Sequence, residues 1–235
     1  MIISGKNSVY EALVAGKTIN KVAILDSKGK EKIVELCKKN KVRLDFVSRE
    51  YLDKLSTHHQ GVVAEVTDYK YSSVDEILSS KSDDGHFIVI LDGVQDPHNL
   101  GSIIRVCDCA GVDGLIIEDR RSASVNETVF KTSCGAVNHV KIARVKNIND
   151  IIRDFKKKNF WVYSAEAGGE SVYKTNLTGD LCIVMGSEGF GVGELTRKLS
   201  DGLISLPMYG KVNSLNVSTA TSAIIYEALR QRRGK

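Results

Sequence analysis

The sequence predicts an α/β protein in which a small, partly parallel sheet precedes a larger parallel sheet. Short runs rich in Val, Ile and Phe alternate with helical patterns along most of the chain, and this alternation is typical of α/β folds. The run FIVILD at 87–92 is apolar up to its last residue, Asp92, as expected of a strand that is buried on both faces. A polar stretch at 71–85 separates two such segments, so we expect a linker there.

The first segment, residues 1–70, is predicted to form the small sheet. Its strands are expected at 21–25, 43–47 and 62–66. Helical patterns lie between the strands at 30–39 and after Ser48, which is a suitable N-cap residue. The segment holds 13 Lys and Arg against 9 Asp and Glu, whereas the rest of the chain holds 20 of each. A nucleic acid would therefore be attracted here first, although many enzymes of similar charge bind none.

The second segment, residues 86–235, is predicted to form the parallel sheet. Its strands are expected at 87–92, 114–118, 160–164, 181–185 and 203–207. Its helices are expected at 100–110, 148–158, 193–199 and 215–233. Within the linker, one short helical turn is predicted around 74–78.

Composition excludes several classes of protein. Hydrophobic residues make up 42% and charged residues 26% of the 235 residues, which is ordinary for a globular protein. No apolar run approaches the ~20 residues that a membrane span requires, and the N-terminal sequence does not resemble a secretory signal. We therefore expect a cytoplasmic protein without a membrane partner. The five cysteines lack metal-ligand spacing, so we expect buried, reduced thiols and no metal site.

Three loops that follow predicted strands are rich in Gly, Asn and Ser. They span 91–105, 184–194 and 206–218. In parallel α/β sheets, ligands bind beyond the carboxyl ends of the strands, and glycine lets a ligand approach the backbone closely. The chain contains no dinucleotide-binding fingerprint, P-loop or serine-hydrolase elbow. These patterns by themselves predict only a ligand-binding α/β domain.

The three loops, in this order, resemble the three motifs of the SpoU-type branch of the SPOUT superfamily of RNA methyltransferases. The matching sequences are DPHNLGSIIR, MGSEGFG and LPMYGKVNSLNVSTA. The runs GKNSVYEAL and HHQGVVAEV resemble the N-terminal substrate-binding domain of bacterial 23S rRNA guanosine 2′-O-methyltransferases. The resemblance implies a C-terminal domain with a deep trefoil knot, preceded by a small ribosomal-protein-like RNA-binding domain. It also implies a homodimer, an RNA partner and S-adenosylmethionine as the cofactor.

The resemblance further implies the residues of the site. Cofactor contacts are expected from Gly186, Ser187, Glu188, Gly189, Leu206, Met208, Ser214, Leu215 and Asn216. Catalytic roles are expected for Asn99, Arg105, Glu188, Ser214 and Asn216.

A ribose hydroxyl is a weak acid, so the charge that develops on its oxygen needs a cation or hydrogen-bond donors nearby. Arg105 stays protonated, and we expect it to stabilise that oxygen and to hold a phosphate. Asn99 and Glu188 could hold a ribose hydroxyl. Each of these residues could instead have a purely structural role. Arg105 could be a surface residue and Glu188 a solvated acid of the loop. Asn99 could cap a helix that begins at Leu100, and Ser214 and Asn216 could cap the last helix.

The preferred hypothesis is therefore a ribose 2′-O-methyltransferase acting on structured RNA, most readily a guanosine of 23S rRNA. A tRNA 2′-O-methyltransferase and a non-catalytic RNA-binding ribosome-assembly factor remain alternatives. The missing dinucleotide fingerprint argues against a nucleotide-dependent dehydrogenase. The sequence leaves open the target nucleotide and the group that accepts the proton.

Overall fold

The computed structural model describes residues 1–67, 69–79, 84–212 and 214–234. Its helices are α1 Lys6–Val14, α2 Glu31–Lys39, α3 Arg49–Leu55, α4 Val74–Leu78, α5 Pro97–Ala110, α6 Glu127–Thr132, α7 Ile148–Lys157, α8 Glu194–Leu199 and α9 Val217–Arg232. Its strands are β1 Ile2–Ser4, β2 Ile19–Ile24, β3 Arg43–Phe46, β4 Val62–Val66, β5 Phe87–Asp92, β6 Gly114–Glu118, β7 Ile142–Val145, β8 Trp161–Ser171, β9 Leu181–Gly186 and β10 Gly202–Ser205. Contacts divide the chain into two compact units, Met1–Lys70 with Ser124–His139, and Tyr71–Ala123 with Val140–Lys235.

The first unit contains a four-stranded sheet in the order β1-β4-β2-β3. Only β2 and β3 pair in parallel, and the other neighbours are antiparallel, which confirms the prediction of a small, partly parallel sheet. As predicted, Ser48 caps α3 by accepting a hydrogen bond from the Tyr51 backbone N–H. His59 is buried in the turn before β4, where its Nδ1 accepts a hydrogen bond of 2.8 Å from the Gly61 N–H.

A segment from the middle of the chain completes this unit. Helix α6 packs against β1, and the Ser4 hydroxyl donates a 2.9 Å hydrogen bond to Glu127. The Ser8 hydroxyl, on α1, donates to the Phe130 carbonyl oxygen at 3.4 Å. The Phe130 side chain is buried. Residues 124–139 thus belong to the packed core of residues 1–70.

The second unit contains a six-stranded sheet in the order β10-β8-β9-β5-β6-β7, and every neighbouring pair is parallel. This confirms the predicted α/β class. All residues of the central strand β5 are buried, because helices cover both faces of a parallel sheet. One core cluster joins Ile88 and Ile90 of β5 to Ile152 and Phe155 of α7. The knot implied by the resemblance stays a prediction.

The helix at 74–78 forms as predicted and is fixed by a capping box. The Ser73 side chain accepts a hydrogen bond from the Glu76 N–H at 3.1 Å, and the Glu76 carboxylate accepts one from the Ser73 N–H at 2.6 Å. Residues 80–83 of the expected linker lie outside the described residues.

Some elements differ from the predictions. The strands β1 and β7 were not predicted, because each has only three or four residues and too few side chains to show a period. Strand β8 continues to Ser171, beyond the predicted end at 164. Helix α5 begins at Pro97 and is capped by Asp96, so the alternative role of Asn99 as its N-cap is wrong. Proline at the first position of a helix is favoured because its fixed φ suits that position.

The expectation of buried thiols holds for only three of the five free cysteines. Cys37, Cys107 and Cys182 are buried, whereas Cys109 and Cys134 are exposed. Burial raises the pKa of the Cys37 thiol to about 11. Within the described ranges, no cluster of three His, Cys, Asp or Glu side chains could hold a metal ion. The same ranges contain no helix that is both long and apolar enough to cross a membrane.

Candidate active site

Three side chains from the three glycine-rich loops form a ring of hydrogen bonds. Asn99 Nδ2 donates to Glu188 Oε1 at 3.1 Å. Asn216 Nδ2 donates to Glu188 Oε1 at 2.5 Å and to Asn99 Oδ1 at 3.0 Å. The backbone N–H of Val217 also points to Glu188 Oε1, at 3.4 Å. These residues are separated by up to 117 positions in sequence, so the fold itself brings them together.

Glu188 is held by a tight loop at the end of β9. The backbones of Ser187 and Gly191 close this loop with two hydrogen bonds of 3.0 and 3.1 Å. A Cβ atom at Gly186 would collide with the backbone of Gly191, so the closed loop requires glycine there. Gly189 has a φ of 85°, which is strained for other residues. The glycines therefore allow a compact loop that fixes the Glu188 backbone.

Asp92 joins this loop to the neighbouring strand. Its carboxylate Oδ2, at the end of β5, accepts hydrogen bonds from the Gly193 N–H at 2.9 Å and the Thr196 hydroxyl at 3.3 Å. Gly193 directly precedes α8. Asp92 thus ties the end of β5 to the start of α8, which follows the loop after β9.

Asn216 is both a ring member and the N-cap of α9. Its Oδ1 accepts hydrogen bonds from the Ser218 N–H at 2.9 Å, the Ser218 hydroxyl at 2.6 Å and the Thr219 N–H at 3.3 Å. The capping role expected for Asn216 is confirmed. Because the amide oxygen caps the helix, the amide nitrogen is directed to Asn99 and Glu188.

A cleft of about 250 Å³ lies beside the ring. It is lined by Gly93, Val94, Gln95, Asp96, Asn99, Ser187, Glu188, Phe190 and Val217. The Phe190 side chain is 94% exposed, although it lies in a loop fixed by backbone hydrogen bonds. An exposed aromatic ring beside polar side chains is suited to stacking against a planar group.

Sequence reasoning did not single out several of these residues. Gly93, Val94, Gln95 and Asp96 lie in the first glycine-rich loop, and Phe190 lies in the second. A phenylalanine between glycines in a loop was the one available signal, since a core residue is not expected there.

Arg105 lies on the same helix as Asn99 but on a different side of it. Asn99 and Arg105 lie six residues apart on α5, which corresponds to about 9 Å along the helix axis and a rotation of about 240°. Asn99 is buried, whereas Arg105 is exposed.

The other predicted cofactor residues lie on the segment that joins β10 to α9. Met208 and Leu215 are 39% and 42% exposed, and Leu206 is half-buried and Ser214 exposed. These four residues do not line the 250 Å³ cleft. Apolar side chains exposed together on one irregular segment are suited to covering a ligand. Asn213, within the same motif, lies outside the described residues.

Two family models match the chain. The model of the SpoU rRNA Methylase family matches residues 86–226. The model described as RNA 2′-O ribose methyltransferase substrate binding matches residues 2–72. The first of these covers Asn99, Glu188 and Asn216.

Curated relatives match over nearly the whole chain. A protein of Staphylococcus haemolyticus, named as a TrmH family tRNA/rRNA methyltransferase, is 42% identical over 240 residues, covering 99% of this chain and 96% of its own. A Staphylococcus aureus protein with the same name is 42% identical over 239 residues, covering 98% and 96%.

Solved structures show the same fold. The SpoU methyltransferase AviRb from Streptomyces viridochromogenes, in complex with AdoMet, has a TM-score of 0.85 at 24% identity and covers 99% of this chain and 90% of its own. An AdoMet-bound rRNA methyltransferase from Sinorhizobium meliloti has a TM-score of 0.82 at 24% identity, covering 97% and 86%. A TrmH/SpoU tRNA modifying enzyme from A. aeolicus has a TM-score of 0.59 at 32% identity and covers 68% and 80%.

Proposed function

The chain belongs to the SpoU family of RNA methyltransferases, and we propose that it methylates a ribose 2′-hydroxyl, most readily of a guanosine in 23S rRNA. The observation that carries this proposal is the hydrogen-bonded ring of Asn99, Glu188 and Asn216. An activity on ribose needs groups that hold a hydroxyl in line with the methyl donor. The ring offers an amide and a carboxylate for that purpose.

S-adenosylmethionine is the methyl donor, and it supplies a methyl group on a positively charged sulfur, which is a strong electrophile. The residues that would hold it are Gly186, Ser187 and Gly189 of the second loop, and Leu206, Met208, Ser214 and Leu215 of the third. The exposed apolar side chains of Met208 and Leu215 suit an adenine ring, and the backbone of the glycine loop suits polar groups.

The 250 Å³ cleft beside the ring would take the target nucleoside. Within the described part of the chain, Glu188 Oε2 makes no hydrogen bond, so it can accept one from the ribose hydroxyl, while Oε1 is held by the two asparagines. A carboxylate fixed in this way accepts the hydrogen bond from the hydroxyl without having to be reoriented. Phe190, at 94% exposure, would stack against the base.

The cation expected from Arg105 would come from a second subunit. Arg105 is exposed on α5, and α5 packs against α9. On α9, the side chains of Ala223 and Tyr226 are exposed, that of Tyr226 to 50%. A two-fold dimer formed through these helices would bury this face and carry each Arg105 toward the partner's site. The guanidinium would then stabilise the ribose oxygen as its charge develops.

Ribosomal RNA is favoured over tRNA as the substrate. A substrate-binding model matches residues 2–72, and the rRNA methyltransferase of Sinorhizobium meliloti covers 97% of the chain, whereas the tRNA modifying enzyme of A. aeolicus covers 68%. We assign RNA binding to residues 1–70, catalysis and the trefoil knot to residues 86–235, and a linker to 71–85. The enzyme would act in the cytoplasm, where ribosomal RNA is assembled.

The direct test maps ribose methylation in total RNA from cells with and without the protein. A 2′-O-methyl group protects the next phosphodiester bond from alkaline cleavage, so each modified site gives a gap in the cleavage pattern. We expect one gap in 23S rRNA to disappear when the gene is deleted and to return with the wild-type gene. A gap lost only from tRNA would select the alternative substrate, and no lost gap would contradict the proposed function.

A further inference from the structure

The first unit contains a second cavity, of about 270 Å³, which has no part in the chemistry described above. It lies between the end of α1 and the residues that follow β4. Its polar lining comes from Lys17, Thr18, Thr67 and Lys70. All of these side chains can donate hydrogen bonds, and two of them carry a positive charge.

Lys17 is held inside this cavity by aromatic rings. Its Nζ lies 4.8 Å from the centre of the Tyr69 ring, and that ring meets the Phe130 ring edge to face, with centroids 6.3 Å apart. A cation over a ring face is attracted by the electrons of the ring. The rings therefore hold the ammonium group in place without neutralising it.

The charge of Lys17 is not compensated by any carboxylate among the described residues, where Lys17 forms no ion pair. Lys17 is half-buried, and burial lowers the pKa of its ammonium group. A partly desolvated cation gains strongly from an anion that enters its cavity. The site is therefore suited to an anion that brings its own charge.

We propose that this cavity binds a backbone phosphate of the RNA substrate, through Lys17 and Lys70 with the hydroxyl of Thr18. The proposal deepens the proposed function and rests on it for the identity of the RNA. A phosphodiester carries one negative charge and accepts several hydrogen bonds, which matches two ammonium groups and one hydroxyl. The Thr67 hydroxyl already donates to the Thr18 carbonyl oxygen, at 3.4 Å. The aromatic rings are already engaged with Lys17 and with each other, so base stacking is not the role of this site.

The test compares the salt dependence of RNA binding by full-length variants. Lys17→Met removes one phosphate contact and should reduce the slope of log affinity against log salt by about 1. Such a change corresponds to about tenfold weaker binding at 0.1 M salt. Lys17→Arg keeps the charge and should keep the slope. Lys32→Met, an exposed lysine on α2, is the matched control and should leave the slope unchanged.

The probes are in-vitro-transcribed 23S rRNA and inorganic phosphate. Transfer of methyl groups to the RNA by the wild-type protein is measured in parallel. If the wild type methylates RNA and the slope of Lys17→Met equals that of Lys32→Met, the phosphate site is refuted while the enzyme function stands. If RNA is bound with a slope that depends on Lys17 but no methyl is transferred, the site stands and the proposed function fails. Thermal stabilisation by inorganic phosphate that needs Lys17, without any effect on RNA binding, would also overturn the assignment to RNA.

Discussion

Asn216 has two roles, and two substitutions can distinguish them. Its Oδ1 caps α9 through Ser218 and Thr219, while its Nδ2 donates to Asn99 and Glu188. Serine is as good an N-cap as asparagine, but it has no amide to reach the other two side chains. Asn216→Ser therefore removes the ring contacts and keeps the cap, whereas Asn216→Ala removes both.

The expected stability difference follows from the cap. Replacing an N-cap residue by alanine costs about 1 kcal/mol, within a range of about 0.5–2 kcal/mol. For a chain of this size, 1 kcal/mol corresponds to a shift in Tm of about 2–4 °C. Glu188 is exposed, so water can solvate its carboxylate when the donors are lost, and the ring contributes little to stability. We expect Asn216→Ser to melt close to the wild type and Asn216→Ala about 2–4 °C lower.

The expected loss of activity is the same in both variants. Without Asn216 Nδ2, the Glu188 carboxylate loses its shortest hydrogen bond, which is 2.5 Å long, and its oxygen is no longer fixed. A displacement of 1 Å at a reacting group can cost about 100-fold in rate. We expect kcat/KM for RNA, measured by transfer of labelled methyl, to fall about 100-fold in each variant. If Asn216→Ser keeps wild-type activity while Asn216→Ala loses it, the activity depends on the capped start of α9 and not on the ring.

Three further outcomes are expected. Arg105→Ala should abolish methyl transfer but keep the affinity for S-adenosylmethionine, measured by calorimetry. Mixing this variant with Glu188→Gln subunits should restore about a quarter of the activity, because half of the reassorted dimers then hold one intact site out of two. No recovery would place Arg105 in its own subunit's site or outside catalysis. Phe190→Ala should lower kcat/KM for RNA about 5- to 150-fold, which is the effect of losing the stacking of one base. Phe190→Trp keeps an aromatic ring and should not lower it. A wild-type kcat/KM for Phe190→Ala would contradict stacking. In the native protein, Cys109 and Cys134 should react with a thiol reagent and the other three cysteines only after unfolding; fast labelling of a third thiol contradicts the burial.

Much of the fold could be predicted because its strands are buried on both faces. The strands at 87–92 and 114–118 are apolar up to their last residues, Asp92 and Glu118, and nearly continuous apolar runs are typical of buried parallel strands. The short strand β7, with four residues, and β1, with three, carry too few side chains for any period. They are defined by their partners β6 and β4, and pairing between distant segments cannot be read from local sequence.

The proximity of Asn99 and Glu188 follows from the order of the strands. Because β5 and β9 are neighbours, the loops at their carboxyl ends meet at one edge of the sheet. The position of Asn216 beside them does not follow from this rule. The preceding strand, β10, is separated from β9 by β8, about 10 Å away at the usual strand spacing. The chain must return across that gap to start α9, which packs against α5. The sequence motif pointed to Asn216, but only the path of the chain explains its position.

The packing of the first unit also decides how its role can be tested. A truncation of residues 1–70 would remove the partners of residues 124–139, which belong to the same compact unit. The Glu127 carboxylate would lose its hydrogen bond from Ser4, the Phe130 carbonyl oxygen would lose the one from Ser8, and the buried Phe130 ring would become exposed. Exposure of a buried phenylalanine costs about 1.5–3 kcal/mol, so the truncated protein would lose stability together with any RNA contact. A point substitution such as Lys17→Met changes the charge of the cavity and leaves that core intact, so it separates RNA binding from folding.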